Sequence, residues 1–155
     1  MRIALGSDHA GFPLKAALVE YLEGAGHDVD DLGTENATVS VDYPDYGAAV
    51  GRAAVSGSVD FGIAICGTGI GISMAANKVP GVRAGLAHDV TTATLAKQHN
   101  HANVLCFGAR VIGSQTAIDS LEAFMAAEEL DGRHVRRIDE LTALDEAGRQ
   151  SEEQA

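Results

Sequence analysis

The chain has 155 residues, of which 46% are hydrophobic and 21% charged, and its formal net charge is −11. A chain of this length can bury about two-thirds of its unfolded surface in one domain, and it is too apolar to be a disordered acidic chain. The negative charge excludes nucleic acid and anionic membrane surfaces as default partners. No apolar run approaches the roughly 18 residues of a membrane span, and charges interrupt the N-terminus before a signal sequence could form, so we expect a cytoplasmic protein.

Five short apolar runs alternate with stretches of helical spacing. The runs lie at 3–5, 29–32, 61–65, 82–86 and 104–107. The first helical stretch follows Pro13 and stops at Gly26, and another starts from Ser114, a favourable N-cap. Because parallel neighbours need crossovers of helix length, the alternation predicts a five-stranded, mainly parallel sheet with helices on both faces, which is a three-layer α/β domain.

The end of the chain carries a last helical pattern from Arg136 and then becomes polar. We expect a single domain over 1–148, closed by a C-terminal helix, and a polar, disordered tail over 149–155. In sheets of this type, ligands bind beyond the carboxyl ends of the strands, so the strand-to-helix turns are where functional residues are expected.

The first such turn, GSDHAG at 6–11, places Asp8 and His9 side by side. In a structural interpretation Asp8 is a turn or capping residue and His9 a surface residue. In a functional one, an acid and an imidazole at the end of a strand are suited to chemistry. The sequence leaves both open.

The third turn is richer in glycine: FGIAICGTGIGIS at 61–73. Glycines at alternate positions allow several N–H groups to point at one spot at the start of the next helix, forming an anion nest. The positive potential there favours a thiolate, which makes Cys66 a candidate base or nucleophile, whereas Cys106 has no such loop and is expected to be inert core packing. Two alternatives are a purely structural tight turn and a dinucleotide loop. The second is disfavoured, because the spacing is GxGxG and not GxGxxG.

Two further clusters carry histidine. His99 and His101 precede the fifth strand, but they do not share a helical face and have no acidic partner, so we expect a proton carrier and no metal site. His88-Asp89 is expected to cap the fourth helix. The segment GRHVRR at 132–137 is either surface salt bridging or an anion site, since guanidinium groups suit phosphate.

Taken together, these motifs resemble the ribose-5-phosphate isomerase B family, which includes galactose-6-phosphate isomerase subunits. The matching segments are GSDHAGF at 6–12, DYP at 42–44, ICGTGIGIS at 65–73, ANK at 76–78, QHN at 98–100, NVL at 103–105 and GRH at 132–134. They occur in the family's order and extend to about Leu144.

The resemblance implies a Rossmann-like enzyme without metal or cofactor that interconverts aldose and ketose phosphates through an enediolate. It also implies homodimers or homotetramers with active sites shared between subunits. Cys66 would move a proton between C2 and C1, and His99 would help to open the sugar ring, with Asp8 nearby. The other implied roles are enediolate binding by Gly67, Thr68, Gly69, Ile70 and Gly71, phosphate binding or sugar orientation by His9, Arg110, Arg133 and Arg137, and pocket lining by Tyr43 and Asn100.

One branch of that family uses a glutamate immediately after the third glycine as base. This chain has Ile72 there, so it resembles the branch that uses cysteine. The expected substrates are ribose 5-phosphate and ribulose 5-phosphate. The alternatives are a six-carbon 6-phosphate, such as allose or galactose 6-phosphate, and a non-catalytic phosphosugar- or nucleotide-binding module, against which the combination of Cys66, Thr68 and His99 argues.

Overall fold

Strands and helices alternate along most of the chain. A computed structural model describes residues 1–153, and side chains over residues 1–148. The elements in chain order are β1 (Arg2–Ser7), α1 (Phe12–Gly24), β2 (Asp28–Asp31), α2 (Tyr43–Val55), β3 (Phe61–Cys66), α3 (Ile70–Ala76), β4 (Ala84–Leu86), α4 (Val90–Asn100), β5 (Val104–Gly108), α5 (Ser114–Ala126) and α6 (Arg133–Glu153). Among the described residues, no helix is long and apolar enough to cross a membrane.

The five strands form one sheet in the order β2-β1-β3-β5-β4, and every neighbouring pair is parallel. The predicted three-layer fold is confirmed, with a sheet that is wholly and not merely mainly parallel. All strands therefore end at one edge of the sheet, here called the carboxyl edge, and begin at the other, the amino edge. The five residues of β5 separate the two edges by roughly 15 Å at about 3.3 Å per residue.

A hydrophobic core lies on each face of the sheet. On one face, strand residues such as Ile63 and Phe107 pack against α1, α4 and α5. On the other, Ala64, Cys66 and Cys106 pack against α2 and α3. Cys106 is completely buried, as expected, and the loss of hydration raises the pKa of its thiol.

Two helix starts differ from the sequence prediction. Ser114 is the first residue of α5 and not its cap, because Gly113 occupies the extended N-cap position. α6 begins at Arg133, three residues earlier than the apolar pattern from Arg136 indicated, so all three arginines of the cluster are helical. The tail expected over 149–155 stays a prediction, since α6 is described to Glu153, residues 154–155 lie outside the described residues, and no side chain beyond 148 is described.

Candidate active site

Backbone hydrogen bonds tie three strand-to-helix turns together at the carboxyl edge. The Asp8 N–H donates to the Ile65 carbonyl (3.2 Å) at the end of β3, and the Arg110 N–H after β5 donates to the Gly67 carbonyl (2.9 Å). The Ala109 N–H donates to the Cys66 carbonyl at 2.9 Å. The turns after β1, β3 and β5 therefore form one continuous surface, with the turn after β3 in the middle.

Asp8 and His9 are held on this surface by local hydrogen bonds. The buried Asp8 carboxylate accepts the Gly11 N–H at 2.8 Å, so the structural interpretation of Asp8 as a turn residue is correct. The Nδ1 atom of His9 accepts the Val41 N–H at 3.2 Å. A neutral His9 consequently carries its proton on Nε2, which makes that atom a hydrogen-bond donor. Nothing in the sequence pointed to Val41, because it lies in an irregular loop distant along the chain.

The glycine-rich turn folds back on the Cys66 side chain. Gly69 adopts φ +79° as the N-cap of α3, and its N–H donates to Cys66 Sγ at 3.1 Å. A Cβ atom at Gly69 would lie 2.9 Å from the Phe107 backbone, so only glycine fits. The Ile70 N–H is bound by Thr68 Oγ1 at 3.3 Å. Two N–H groups of the expected nest are thus used within the turn itself.

Cys66 ends β3 with its side chain 4% exposed and its sulfur hydrogen-bonded. An N–H donated to sulfur stabilises negative charge on it, which is what a base or nucleophile needs. Within the described part of the chain, the N–H groups of Gly67 and Thr68 have no acceptor in the protein. These two donors, next to the sulfur, could bind an oxyanion.

Tyr43 and Arg110 flank this turn. A Cβ atom at Gly71 would lie 2.7 Å from the Tyr43 ring, and one at Gly67 would lie 3.4 Å from the Arg110 guanidinium. The absence of a side chain at Gly71 is therefore what lets the Tyr43 ring approach, whereas the Arg110 guanidinium lies at ordinary contact distance from Gly67. The candidate residues that the structure brings to the carboxyl edge are Asp8, His9, Tyr43, Cys66, Gly67, Thr68, Gly69, Ile70, Gly71 and Arg110.

The remaining candidates lie at the opposite edge. His99 and Asn100 end α4, and the Arg83 guanidinium, immediately before β4, donates to the Asn100 carbonyl at 3.1 Å. The His99 ring stacks on the ring of His134 in α6, with centroids 4.4 Å apart and planes inclined by 17°. Arg133 and Arg137 are exposed in the first turns of α6. His99, Asn100, Arg133 and Arg137 thus form a second group, at the amino edge.

The amino edge also holds a cavity of about 500 Å³ between β4, α4 and α6. Its lining includes Arg83, Asn100 and the apolar side chains of Leu141 and Leu144. Among the described residues, no three His, Cys, Asp or Glu side chains are grouped as metal ligands. The two groups of candidate residues lie at opposite ends of the strands. A single chain therefore does not bring them together.

The sequence and the fold match a known family. A sequence model described as Ribose/Galactose Isomerase matches residues 3–141. The chain belongs to this family. Ribose-5-phosphate isomerase B of Escherichia coli (strain K12) is 44% identical over 145 residues, which cover 94% of this chain and 97% of that protein. Probable ribose-5-phosphate isomerase B of Mycoplasma genitalium is 42% identical over 140 residues, which cover 90% and 92%.

Solved structures within the family agree with the fold. Ribose-5-phosphate isomerase B of Clostridium thermocellum superimposes with a TM-score of 0.93 at 44% identity, covering 95% of this chain and 99% of that one. The counterpart from Thermotoga maritima gives a TM-score of 0.89, also at 44% identity, over 92% and 97%. The resemblance inferred from the sequence motifs is confirmed.

Proposed function

We propose that this protein is an aldose–ketose isomerase that interconverts ribose 5-phosphate and ribulose 5-phosphate, with Cys66 as the base. The observation that carries the proposal is the Cys66 sulfur, hydrogen-bonded at 3.1 Å by the Gly69 N–H beside two uncommitted N–H donors. It is supported by 44% identity to an enzyme named ribose-5-phosphate isomerase B over nearly the whole chain.

The chemical step is the transfer of a proton between C2 and C1 of the open-chain sugar. Cys66 as thiolate removes the C2 proton of the aldose, and the C2–H electron pair becomes the C1–C2 double bond of the enediolate. The carbonyl oxygen on C1 gains negative charge, which the Gly67 and Thr68 N–H groups stabilise. Such a donor contributes on the order of 3 kcal/mol. The C2 hydroxyl proton passes from O2 to O1, and return of the proton from Cys66 to C1 then leaves the carbonyl at C2, which is the ketose.

Binding of the phosphate would position the sugar over Cys66. Arg110 and the Nε2–H of His9 provide donors at the carboxyl edge. Arg133 and Arg137 provide two guanidinium groups, and His99 the group that opens the sugar ring, but at the amino edge. We therefore propose a homodimer, alone or within a homotetramer, in which the amino edge of one chain completes the carboxyl edge of the other.

A six-carbon substrate is the second candidate, because the matching family model is described by both ribose and galactose. The two sugars differ by one carbon between the carbonyl and the phosphate, so the distance between Cys66 and the arginines selects between them. We expect kcat/KM to be higher for ribose 5-phosphate than for allose or galactose 6-phosphate.

The proposed reaction uses no metal or cofactor, so EDTA treatment should leave the rate unchanged. We also propose that the protein is located in the cytoplasm, as predicted from its sequence.

Substitution of Cys66 tests the assignment of the base. We expect Cys66→Ala to lower kcat for ribose 5-phosphate by at least about 10²-fold, since general-base catalysis contributes typically 10²–10⁴. Cys106→Ala is the matched control and should retain activity, because Cys106 is fully buried in the core. Parent-like turnover by Cys66→Ala would refute the mechanism. A parent protein that binds the sugar phosphate without converting it would identify a binding module instead.

A further inference from the structure

We propose that His134 is a positioning residue for His99: its ring, packed between α4 and α6, holds the His99 imidazole in the orientation needed for opening the sugar ring. The inference deepens the proposed function and rests on it. The two rings are nearly parallel, inclined by 17°, with centroids 4.4 Å apart. This is the distance of an offset stack between aromatic rings.

His134 is the inward-facing residue of the first turn of α6. Its side chain is only 7% exposed, although its helical neighbours Arg133, Val135, Arg136 and Arg137 are all exposed. A buried ring has few alternative rotamers, because the surrounding atoms exclude them. The orientation of the His134 ring is therefore fixed by packing. The His99 ring lies flat against it, so the stack also restricts the orientation of His99.

The segment that precedes α6 is tied to the end of α4 as well. The Leu130 N–H donates to the Gln98 carbonyl at 3.0 Å, and a ring nitrogen of His101 lies 2.9 Å from the Leu130 carbonyl oxygen. Further along α6, the Asp145 carboxylate accepts the Gly81 N–H at 2.8 Å. These contacts hold α6 against the body of the protein at its start and near its middle, so the stack is a fixed feature of the amino edge.

The charge state of His134 suits a positioning role. Loss of hydration, followed by the nearby charges of His99, Arg133 and Arg137, lowers the pKa of His134, while a contact with the His99 backbone carbonyl acts in the opposite direction. Over residues 1–148, no acid is among the groups that shift this pKa, and Glu129, in the segment before α6, is paired with Lys97 and His101. His134 is accordingly neutral near pH 7 and leaves the proton chemistry of the pair to His99.

Positioning matters here because proton transfer depends steeply on geometry, and a displacement of about 1 Å can cost roughly 10²-fold in rate. We expect no contact between His134 and the substrate, because its ring is buried and one face of it is covered by His99 of α4. Its removal should therefore affect turnover more than binding, in contrast to removal of the exposed arginines beside it.

The first test compares His134→Ala with His134→Phe in the full-length protein. We expect His134→Ala to lower kcat for ribose 5-phosphate by about tenfold and to change KM by less than about threefold. His134→Phe should recover most of kcat, because its ring can still stack on His99. An unchanged kcat in His134→Ala, an equal loss in His134→Phe, or a rise in KM at constant kcat would each overturn the proposal.

The second test does not depend on turnover. In protein labelled with ¹³C in the histidine rings, the His99 ring signals should show a ring-current shift that is lost in His134→Ala and kept in His134→Phe. The His134 signal should titrate below the ordinary value of 6.5, and Arg137→Ala should move its midpoint upward. Absence of the shift in the parent refutes the stack, whereas a parent with the shift but without isomerase activity refutes the proposed function.

Discussion

Lys15 is a charged residue buried in the core near the candidate site. Its side chain is 2% exposed, its ammonium group pairs with Asp31, and it lies 5.6 Å from the centroid of the Phe12 ring. Asp31 also accepts the Gly33 N–H at 2.9 Å, and the Gly33 carbonyl accepts the Ser7 N–H at 2.8 Å. This chain of contacts supports the backbone immediately before Asp8.

The two members of this pair should respond unequally to substitution. Asp31→Ala leaves a buried ammonium group without its carboxylate, whereas Lys15→Met leaves Asp31, which is 45% exposed, hydrated by solvent. Removing one partner of a fully buried pair costs about 3–5 kcal/mol. With partial exposure we expect Asp31→Ala to lower the free energy of unfolding by about 2 kcal/mol, and Lys15→Met by less. Urea unfolding of both variants measures the difference, and a reversed order would contradict the argument.

At the scale of the element, the turn between β3 and α3 depends on the backbone at Gly69. Gly69→Ala places a side chain at φ +79° and brings Cβ within 2.9 Å of the Phe107 backbone. Gly57→Ala is a matched control, because Gly57 has φ +77° but no atom within 4 Å of its Cβ position. The control should lose only the roughly 1–2 kcal/mol of left-handed strain.

Gly69→Ala should lose at least about 1 kcal/mol more than Gly57→Ala, since overpacking adds typically 1–3 kcal/mol. It should also reduce kcat, because the Gly69 N–H is the donor to Cys66. Thermal unfolding and the ribose 5-phosphate assay measure the two effects. Equal stability of the two variants, or full activity of Gly69→Ala, would show that the turn accommodates a side chain at position 69, contrary to this prediction.

The start of α4 is stabilised by a capping box. Asp89 accepts the Thr92 N–H at 2.7 Å, as the sequence predicted, and the Thr92 hydroxyl accepts the Asp89 N–H at 3.2 Å. The hydrogen bonds from Thr92 lower the pKa of Asp89 below its ordinary value of 3.8. The charged cap is thus fully present above that value and is lost as the pH falls through the lower, folded-state pKa.

Asp89→Ala should therefore be less stable than the parent at pH 7, and the difference should shrink as the pH falls below 3.8. Asp89→Asn is the control, because asparagine keeps a capping acceptor without the charge. At pH 7 its stability should lie between those of the parent and Asp89→Ala, and its difference from Asp89→Ala should not depend on pH in this range. Urea unfolding at pH 7 and below pH 3.8 tests this prediction. If Asp89→Ala lowers the free energy of unfolding equally at both pH values, the charge of Asp89 does not contribute to the cap.

Sequence patterns located the strands and helices because buried faces require apolar residues at regular spacings, which can be read from the sequence. The alternation of apolar runs with helical spacing predicted all five strands. Cys66 at the end of β3 and the glycines after it predicted a site at that turn, which stays a prediction. The stack of His99 on His134 was not predictable, since it joins side chains from α4 and α6 and leaves no periodic trace. The opposite edges of His99 and Cys66, in contrast, follow from a parallel sheet, because His99 precedes β5 and Cys66 ends β3.

At the scale of the whole molecule, the separation of Cys66 from His99 implies that the proposed mechanism needs the proposed dimer. Within one chain, roughly 15 Å of strand lies between the edge with Cys66 and the edge with His99. In a twofold-symmetric dimer, each site takes its carboxyl edge from one chain and its amino edge from the other. Cys66→Ala and His99→Ala then damage complementary halves of the same site.

Mixing these two inactive variants provides the test. In a heterodimer, one site combines the Cys66→Ala carboxyl edge with the His99→Ala amino edge, and the other site combines the two intact edges. Random reassociation of equal amounts makes about half of the dimers heterodimers, so we expect about a quarter of the parent activity. Cys66→Ala mixed with Cys66→Ala/His99→Ala is the control and should regain nothing. If the first mixture also stays inactive while mass spectrometry shows that heterodimers have formed, each site lies within a single chain.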